Sequence, residues 1–169
     1  MRNRLTAAIF AAALASISFT TTAQAETAWQ CAPFARFFSG IKLFGDAWTW
    51  WEQATGKYAK DLTPDAGAVL VFKPYGSMKS GHVAVVSQVL TDRIIQVTHA
   101  NWGGAKGKVE NDVTVVDVSA AGDWSQVKVW YDPSGDLGKT AYPTFGFIHA
   151  AAQQMADSAT SAIASVKAR

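Results

Sequence analysis

Four residues in this sequence have the types needed for nucleophilic catalysis: Cys31, His82, His99 and Asn101. A thiol beside an imidazole forms an activated nucleophile, and a third polar group orients the imidazole. Cys31 is predicted at the start of a helix, where the helix dipole and unsatisfied backbone N–H groups favour a thiolate. The set therefore contains the parts of a Cys–His–X triad.

Each of these residues also has an ordinary structural explanation. Cys31 could be a buried, inert thiol, and His82 could simply begin a strand. His99 and Asn101 could satisfy backbone groups near a strand end. A zinc site is a poor alternative, because no spacing of Cys and His in the chain resembles a metal-binding motif. His149 has no comparable partners and is interpreted as a surface or strand-end residue.

A predicted β-hairpin places the two central histidines together. Residues 82–90 and 93–100 are rich in β-branched side chains and are separated by a two-residue turn. In such a hairpin, residues whose numbers sum to 183 face each other, so His82, His99 and Asn101 share one face. The two histidines then lie roughly 7 Å apart at the backbone. A loop with an odd number of residues would shift the register by one and break this arrangement.

The order of the predicted elements indicates an α+β fold. Residues 26–56 are predicted to be helical and rich in aromatic rings, with one helix from near Cys31 to a stop at Gly40 and a second at 47–54 that ends at Gly56. Six strands are predicted after them, at residues 68–72, 82–90, 93–100, 113–118, 127–131 and 145–148. Helices followed by a meander of strands are typical of N-terminal helices packed on an antiparallel sheet, here of about six strands.

The N-terminal 25 residues have the pattern of a secretory signal peptide. Arg2 and Arg4 precede an apolar run over 5–19, and residues 23–25 read A-x-A, a typical cleavage pattern. The apolar run is shorter than the roughly 20 residues that a membrane-spanning helix needs. We therefore expect cleavage after residue 25, no stable membrane anchor afterwards, and a periplasmic or secreted protein. Loss of the two arginines reduces the formal net charge from +2 to zero.

Composition narrows the classes of protein to which this chain can belong. A hydrophobic content of 49% excludes a disordered chain, and 169 residues suit one domain, predicted at 26–150, followed by an Ala/Ser-rich tail at 151–169. The tail is expected to be helical or partly disordered. A single cysteine excludes an internal disulfide framework, and the low net charge argues against nucleic-acid binding. We expect a monomer without a metal or other cofactor.

Several short motifs resemble CHAP domains, the cysteine, histidine-dependent amidohydrolases/peptidases. Residues 30–36, Gln-Cys-Ala-Pro-Phe-Ala-Arg, resemble the nucleophile motif of this family. Residues 81–86, Gly-His-Val-Ala-Val-Val, resemble its histidine motif. Residues 99–102, His-Ala-Asn-Trp, resemble the segment that carries the family's orienting residue and asparagine, which implies that His99 orients His82 and that Asn101 can share this role. Residues 67–72 and 145–148 resemble the flanking strands. The resemblance runs over nearly the whole predicted domain.

This resemblance implies a papain-like fold of the NlpC/P60 type and a cysteine amidase or endopeptidase. The implied substrate is peptidoglycan. The implied activity is that of an N-acetylmuramoyl-L-alanine amidase or that of an endopeptidase that cleaves amide bonds within the peptide stem. The implied mechanism passes through a thioester on Cys31, with Gln30 near the oxyanion or merely part of the turn. Many CHAP domains have Glu or Asp where this chain has His99, whereas NlpC/P60 relatives use histidine. Only Glu26 precedes the cysteine after the cleavage point, so we expect no calcium site there.

Three other functions remain open at this stage. The protein could be an amidase acting on a small peptide or polyamine conjugate. It could be a non-catalytic cell-wall-binding module that uses its aromatic rings as a sugar platform, which predicts an unreactive Cys31. A secreted redox protein with one thiol is the third alternative, and it offers no reason for His82 and His99 to share a face.

Overall fold

The structure, a computed structural model, describes residues 28–103 and 106–150. The predicted signal peptide and the predicted tail lie outside these residues. The α-helices are α1 (Cys31–Ser39) and α2 (Trp50–Gln53), and 3₁₀ helices occur at Ala47–Thr49 and Asp132–Ser134. The strands are β1 (Lys60–Asp61), β2 (Val69–Phe72), β3 (His82–Val89), β4 (Ile94–Ala100), β5 (Val109–Asp117), β6 (Gln126–Tyr131), β7 (Asp136–Leu137) and β8 (Tyr142–Ile148).

Six of the strands close into an antiparallel barrel. The sheet runs from β8 through β2, β3, β4 and β5 to β6, and β8 then pairs with β6 as well. The closure occurs within β8, where Tyr142 and Pro143 pair with β6 and the residues from Thr144 to Ile148 pair with β2. The short strands β1 and β7 pair beside the barrel with β8 and β6.

The predicted α+β, papain-like NlpC/P60-type fold is therefore wrong. The described part of the chain is mostly a closed β-barrel with two short α-helices, not a set of helices packed on a sheet. Within 26–56 the two predicted helices are confirmed, as α1 and as a 3₁₀ helix followed by α2, and Gly40 separates them with a left-handed φ of 74°. A residue at C′ with positive φ ends a helix, so α1 stops at Ser39.

Apolar side chains fill both the inside of the barrel and its covered outer face. Alternate residues of the strands point inward, as in Ala84 and Val86 of β3 and Ile95 and Val97 of β4. On the outside, Val83 and Val85 pack in a second cluster with residues of the helical region. Burial on both faces explains why β2 and the first half of β3 are continuously hydrophobic.

Helix α1 lies against β3 and β4 and begins with the predicted nucleophile. Gln30 precedes it in an extended conformation and accepts the Phe34 N–H at its carbonyl, which starts the helical hydrogen bonding. The helix buries Phe34 and leaves Phe37 and Phe38 exposed. Among the residues that the structure covers, no helix is long and apolar enough to cross a membrane.

Candidate active site

The β3–β4 hairpin has the predicted register near the histidines. Val85 pairs with Thr98 and Val86 pairs with Val97, and both pairs of numbers sum to 183. This register brings His82 and His99 within contact, as the hairpin geometry predicts.

The turn of the same hairpin differs from the prediction. Leu90 hydrogen-bonds through its N–H to the Ile94 carbonyl, so the loop contains three residues rather than two. Near the turn the register is therefore shifted by one, with Gln88 opposite Gln96. A β-bulge between Val86 and Gln88 inserts one residue and cancels the shift. The histidines share a face because the bulge corrects the odd loop.

The two histidines are in direct contact. His82 Nε2 lies 3.1 Å from His99 Nδ1, and the two rings are nearly perpendicular. Trp102 packs against both rings and stacks on His99, while Phe72 meets the edge of His82. Both imidazoles are almost fully buried, so aromatic contacts and the shared hydrogen bond hold their orientation.

Burial governs the protonation of this pair. It lowers the pKa of His82 well below its usual range, and the neighbouring His99 lowers it further. Burial also lowers the pKa of His99 to about 4. A buried imidazole loses hydration when it becomes positive, so both rings are neutral near neutral pH.

Cys31 is half-buried at the first position of α1. Burial raises the pKa of its thiol, whereas backbone hydrogen bonding with Val83, Ala32 and Cys31 itself lowers it, and burial dominates. The expected preference for a thiolate at the helix start is thus outweighed in the free protein. Val83 directly follows His82 on β3, so the thiol lies beside the strand that carries the predicted base.

A cavity of about 480 Å³ unites most of the predicted site. Its walls include Cys31, His82, Asn101 and Gln30, and the β2–β3 loop at 77–81 forms another side. His99 is the one predicted residue that does not line this cavity, since it lies behind His82. A second cavity of about 680 Å³ continues along the β6–β7 region and shares lining residues with the first, namely Ser77, Trp102, Gly103 and Tyr142.

Asn101 contacts Gln30 rather than His82. Its Nδ2 donates a hydrogen bond to Gln30 Oε1 at 2.8 Å, and its Oδ1 accepts one from the Gly107 N–H at 3.1 Å. Asn101 has a φ of 62°, a left-handed conformation that asparagine tolerates better than most residues. Because Gln30 Oε1 is engaged, the donor end of its amide is the group available to the cavity.

Two further residues shape the site and were not singled out from the sequence. Gly107 has a φ of 72°, and a Cβ there would lie 2.6 Å from Ala28 Cα, so only glycine allows the loop to approach the segment before α1. Tyr142 reaches the cavity from β8, far along the chain. Gly107 has a weak sequence signal in its glycine-rich loop, but Tyr142 has none, because barrel closure brings it to the cavity.

Within residues 28–103 and 106–150, no group of three or more His, Cys, Asp or Glu side chains is arranged to hold a metal ion. The expected absence of a metal or other cofactor stays a prediction.

Comparison with known proteins finds a matching family model. The family model described as CHAP domain matches residues 22–101, a span that includes Gln30, Cys31, His82, His99 and Asn101. No curated protein shows significant similarity to the chain. CHAP domains are typically amidases or peptidases associated with peptidoglycan. The predicted resemblance to CHAP domains is thus confirmed over residues 22–101 of this chain.

Proposed function

We propose that this protein is a cysteine amidase or endopeptidase that hydrolyses amide bonds in peptidoglycan. The observation that carries the proposal is the hydrogen-bonded pair of His82 and His99, of which His82 lines the same cavity as Cys31. The signal-peptide pattern of residues 1–25 supports action in the periplasm or outside the cell, where peptidoglycan lies.

The first step is proton transfer from the Cys31 thiol to His82. His82 Nε2 is engaged with His99, so Nδ1 is the ring nitrogen that takes the proton. The pKa of the thiol is raised and that of the imidazole is lowered, which favours the neutral pair before substrate binds. His82 therefore acts as a general base while the sulfur attacks the amide carbon.

The attack produces a tetrahedral oxyanion. The Cys31 N–H lies in the first turn of α1, where backbone N–H groups have no partner within the helix. The amide nitrogen of Gln30 is a second donor on the same wall, held by its bond to Asn101. Two such donors stabilise the developing negative charge.

Collapse of this intermediate breaks the amide C–N bond. The leaving nitrogen takes the proton from His82 as it departs, and a thioester remains on Cys31. Water, deprotonated by His82, then attacks the thioester, so a carboxylic acid is released and the thiol regains its proton. Over the whole cycle one water molecule is consumed and one amide bond is cleaved.

The shape of the site favours an extended substrate over a small conjugate. The catalytic cavity continues into the second cavity along β6 and β7, over the shared rings of Trp102 and Tyr142. A peptide stem can occupy both parts of this groove while its scissile amide lies at Cys31. A small polyamine conjugate would leave most of the second cavity empty.

Digestion of purified peptidoglycan tests the proposal. The chain without residues 1–25 is compared with its Cys31→Ala variant, and the products are identified by mass spectrometry. We expect the parent to release peptides from glycan or to cut within the stem, and the variant to release nothing while keeping the parent's circular dichroism spectrum. Equal product from the variant would refute the cysteine mechanism.

A labelling experiment separates the enzyme from a wall-binding module. We expect iodoacetamide to modify Cys31 of the native protein faster than it modifies the same thiol in the His82→Ala variant. A native thiol that reacts no faster than the variant, together with retention on peptidoglycan and no released products, would favour the binding module.

A further inference from the structure

Glu110 lies next to the histidine pair on the side away from the cavity. It is the cross-strand partner of His99 in the β4–β5 pairing, and its Oε2 lies 3.5 Å from His99 Nε2. In the part of the chain that the structure describes, this buried Nε2 has no hydrogen-bond partner. Glu110 is thus the carboxylate that faces an otherwise unsatisfied polar atom of the site.

A β-bulge produces this pairing. From Ile94 to Val97, β4 pairs with β5 in a register that would place residue 111 opposite His99. The register shifts after Val97, so that Glu110 faces His99 instead. Asp112, with a φ of 51°, lies in the shifted stretch of β5. Bulges re-aim side chains beside functional sites, and this one aims a carboxylate at the histidine pair.

The hydrogen-bond chain permits one arrangement of protons. If His82 receives the thiol proton at Nδ1, its resting proton lies on Nε2 and is donated to His99 Nδ1. His99 Nδ1 must then be an acceptor, so the ring carries its own proton on Nε2. That N–H points to the side where Glu110 lies.

We propose that Glu110 is a positioning residue, which selects the Nε2–H form of His99 and offsets the positive charge that arises on His82. Glu110 contacts neither the Cys31 thiol nor the cavity that Cys31 lines, and it acts through His99. This inference rests on the proposed function, because it concerns the base that activates Cys31.

The surroundings of the pair give Glu110 this role. The rings packed on the histidines are Trp102 and Phe72, which offer no counter-charge. The titratable and charged groups near His99 are His82 on β3, Glu110 on β5 and Lys108, whose Nζ lies 3.2 Å from Glu110 Oε1. A carboxylate lowers the cost of a positive charge in such a dry site.

The first test measures how fast iodoacetamide alkylates Cys31 as a function of pH. In Glu110→Leu, we expect the inflection of the rate that reports the imidazole base to move down by about one pH unit, since an imidazolium without its counter-charge loses its proton at lower pH. Glu110→Gln keeps an acceptor oxygen but no charge, so its inflection should lie between those of the parent and Glu110→Leu. Asp132→Asn is the matched control, because Asp132 also lies near Lys108 but does not contact His99. Its profile should equal that of the parent.

The second test reads the tautomer by ¹⁵N NMR of the histidine rings. We expect the His99 proton on Nε2 in the parent and in Glu110→Gln, and a mixed population in Glu110→Leu. A parent ring protonated on Nδ1, or an unchanged alkylation profile in folded Glu110→Leu, would overturn the inference. Neither readout needs substrate, so failure to cleave peptidoglycan would count against the proposed function and not against this role of Glu110.

Discussion

His99 and His149 are both buried, but their neighbours differ. His149 follows β8, and its Nε2 lies 3.1 Å from Asp61 Oδ1 while its Nδ1 lies 3.7 Å from Asp65 Oδ2. His99 meets another imidazole at one nitrogen and stands 3.5 Å from Glu110 at the other. His149 is thus held between two carboxylates, whereas His99 lies between Glu110 and His82, and His82 lines the cavity.

This difference separates a structural histidine from one that can relay charge. The contacts of His149 tie the end of β8 to the segment at residues 61–65, and none of them leads to the thiol. The contacts of His99 lead through His82 to the wall that Cys31 shares. Burial alone therefore does not mark the candidate site. What marks it is a buried pair of imidazoles of which one lines the same cavity as Cys31.

The strongest way to break this comparison is to remove one histidine from each site. We expect His82→Ala to reduce peptidoglycan hydrolysis by about 10⁴-fold, because the general base is lost. We expect His149→Ala to lower the free energy of unfolding and to leave the activity of the folded protein unchanged. Product release under equal enzyme concentration, with urea unfolding in parallel, measures both. Comparable activity losses would mean that the two sites are not functionally distinct.

Acid should destabilise the histidine pair. Above pH 6.5, His99 is neutral in the folded and unfolded states, so its contribution to stability is fully present. Below pH 6.5 the unfolded chain binds a proton that the folded protein refuses until about pH 4. Stability should therefore fall across this window, with roughly 3 kcal/mol attributable to His99. Urea unfolding of the parent and of His99→Asn at several pH values checks this, and parallel pH dependences would contradict it.

Removing the orienting histidine should cost less than removing the base. We expect His99→Ala to lower the hydrolysis rate by about 100-fold, since His82 remains but its tautomer and orientation are no longer held. His99→Asn should recover part of this loss, because the amide oxygen can accept the His82 Nε2–H. Equal losses in His82→Ala and His99→Ala would show that His99 does more than orient.

The smallest expected effect concerns the amide beside Cys31. Asn101→Gly removes the bonds to Gln30 and Gly107 but keeps the left-handed backbone without strain. We expect about a tenfold loss in kcat, comparable to one hydrogen bond in the transition state. Asp61→Asn, which alters a partner of His149, is the control and should leave kcat at the parent value. An unaltered kcat in Asn101→Gly would exclude a role for this bridge.

Local patterns predicted both the strands and the two N-terminal helices well. Alternating or continuous β-branched residues mark β2, β3 and β4, because burial on one or both faces imposes them. The helix stop at Gly40 was also predicted, and the second predicted helix, 47–54, corresponds to a 3₁₀ helix followed by α2. The register near the histidines was predicted correctly, although an odd loop and a bulge cancel each other to produce it.

The fold class could not be read from these patterns. A strand at the edge of a sheet and a strand that closes a barrel have the same alternation of side chains. Closure depends on which residues of β8 pair with β2 and which pair with β6, and those partners lie far apart in the sequence. The same closure carries Tyr142 to the cavity, so this residue has no local signal.

By itself, the sequence determined which residue types are available for catalysis and the shortest-range geometry that joins them. The types and order of Cys31, His82 and His99 indicate thiol catalysis, and the predicted hairpin joins the histidines once a β-bulge has corrected its odd loop. Only the tertiary structure decided that the sheet closes, that Glu110 rather than residue 111 faces His99, and that Gly107 lies against Ala28. These features depend on bulges and long-range pairing, whose energies arise from contacts between distant residues and leave no periodic trace in the chain.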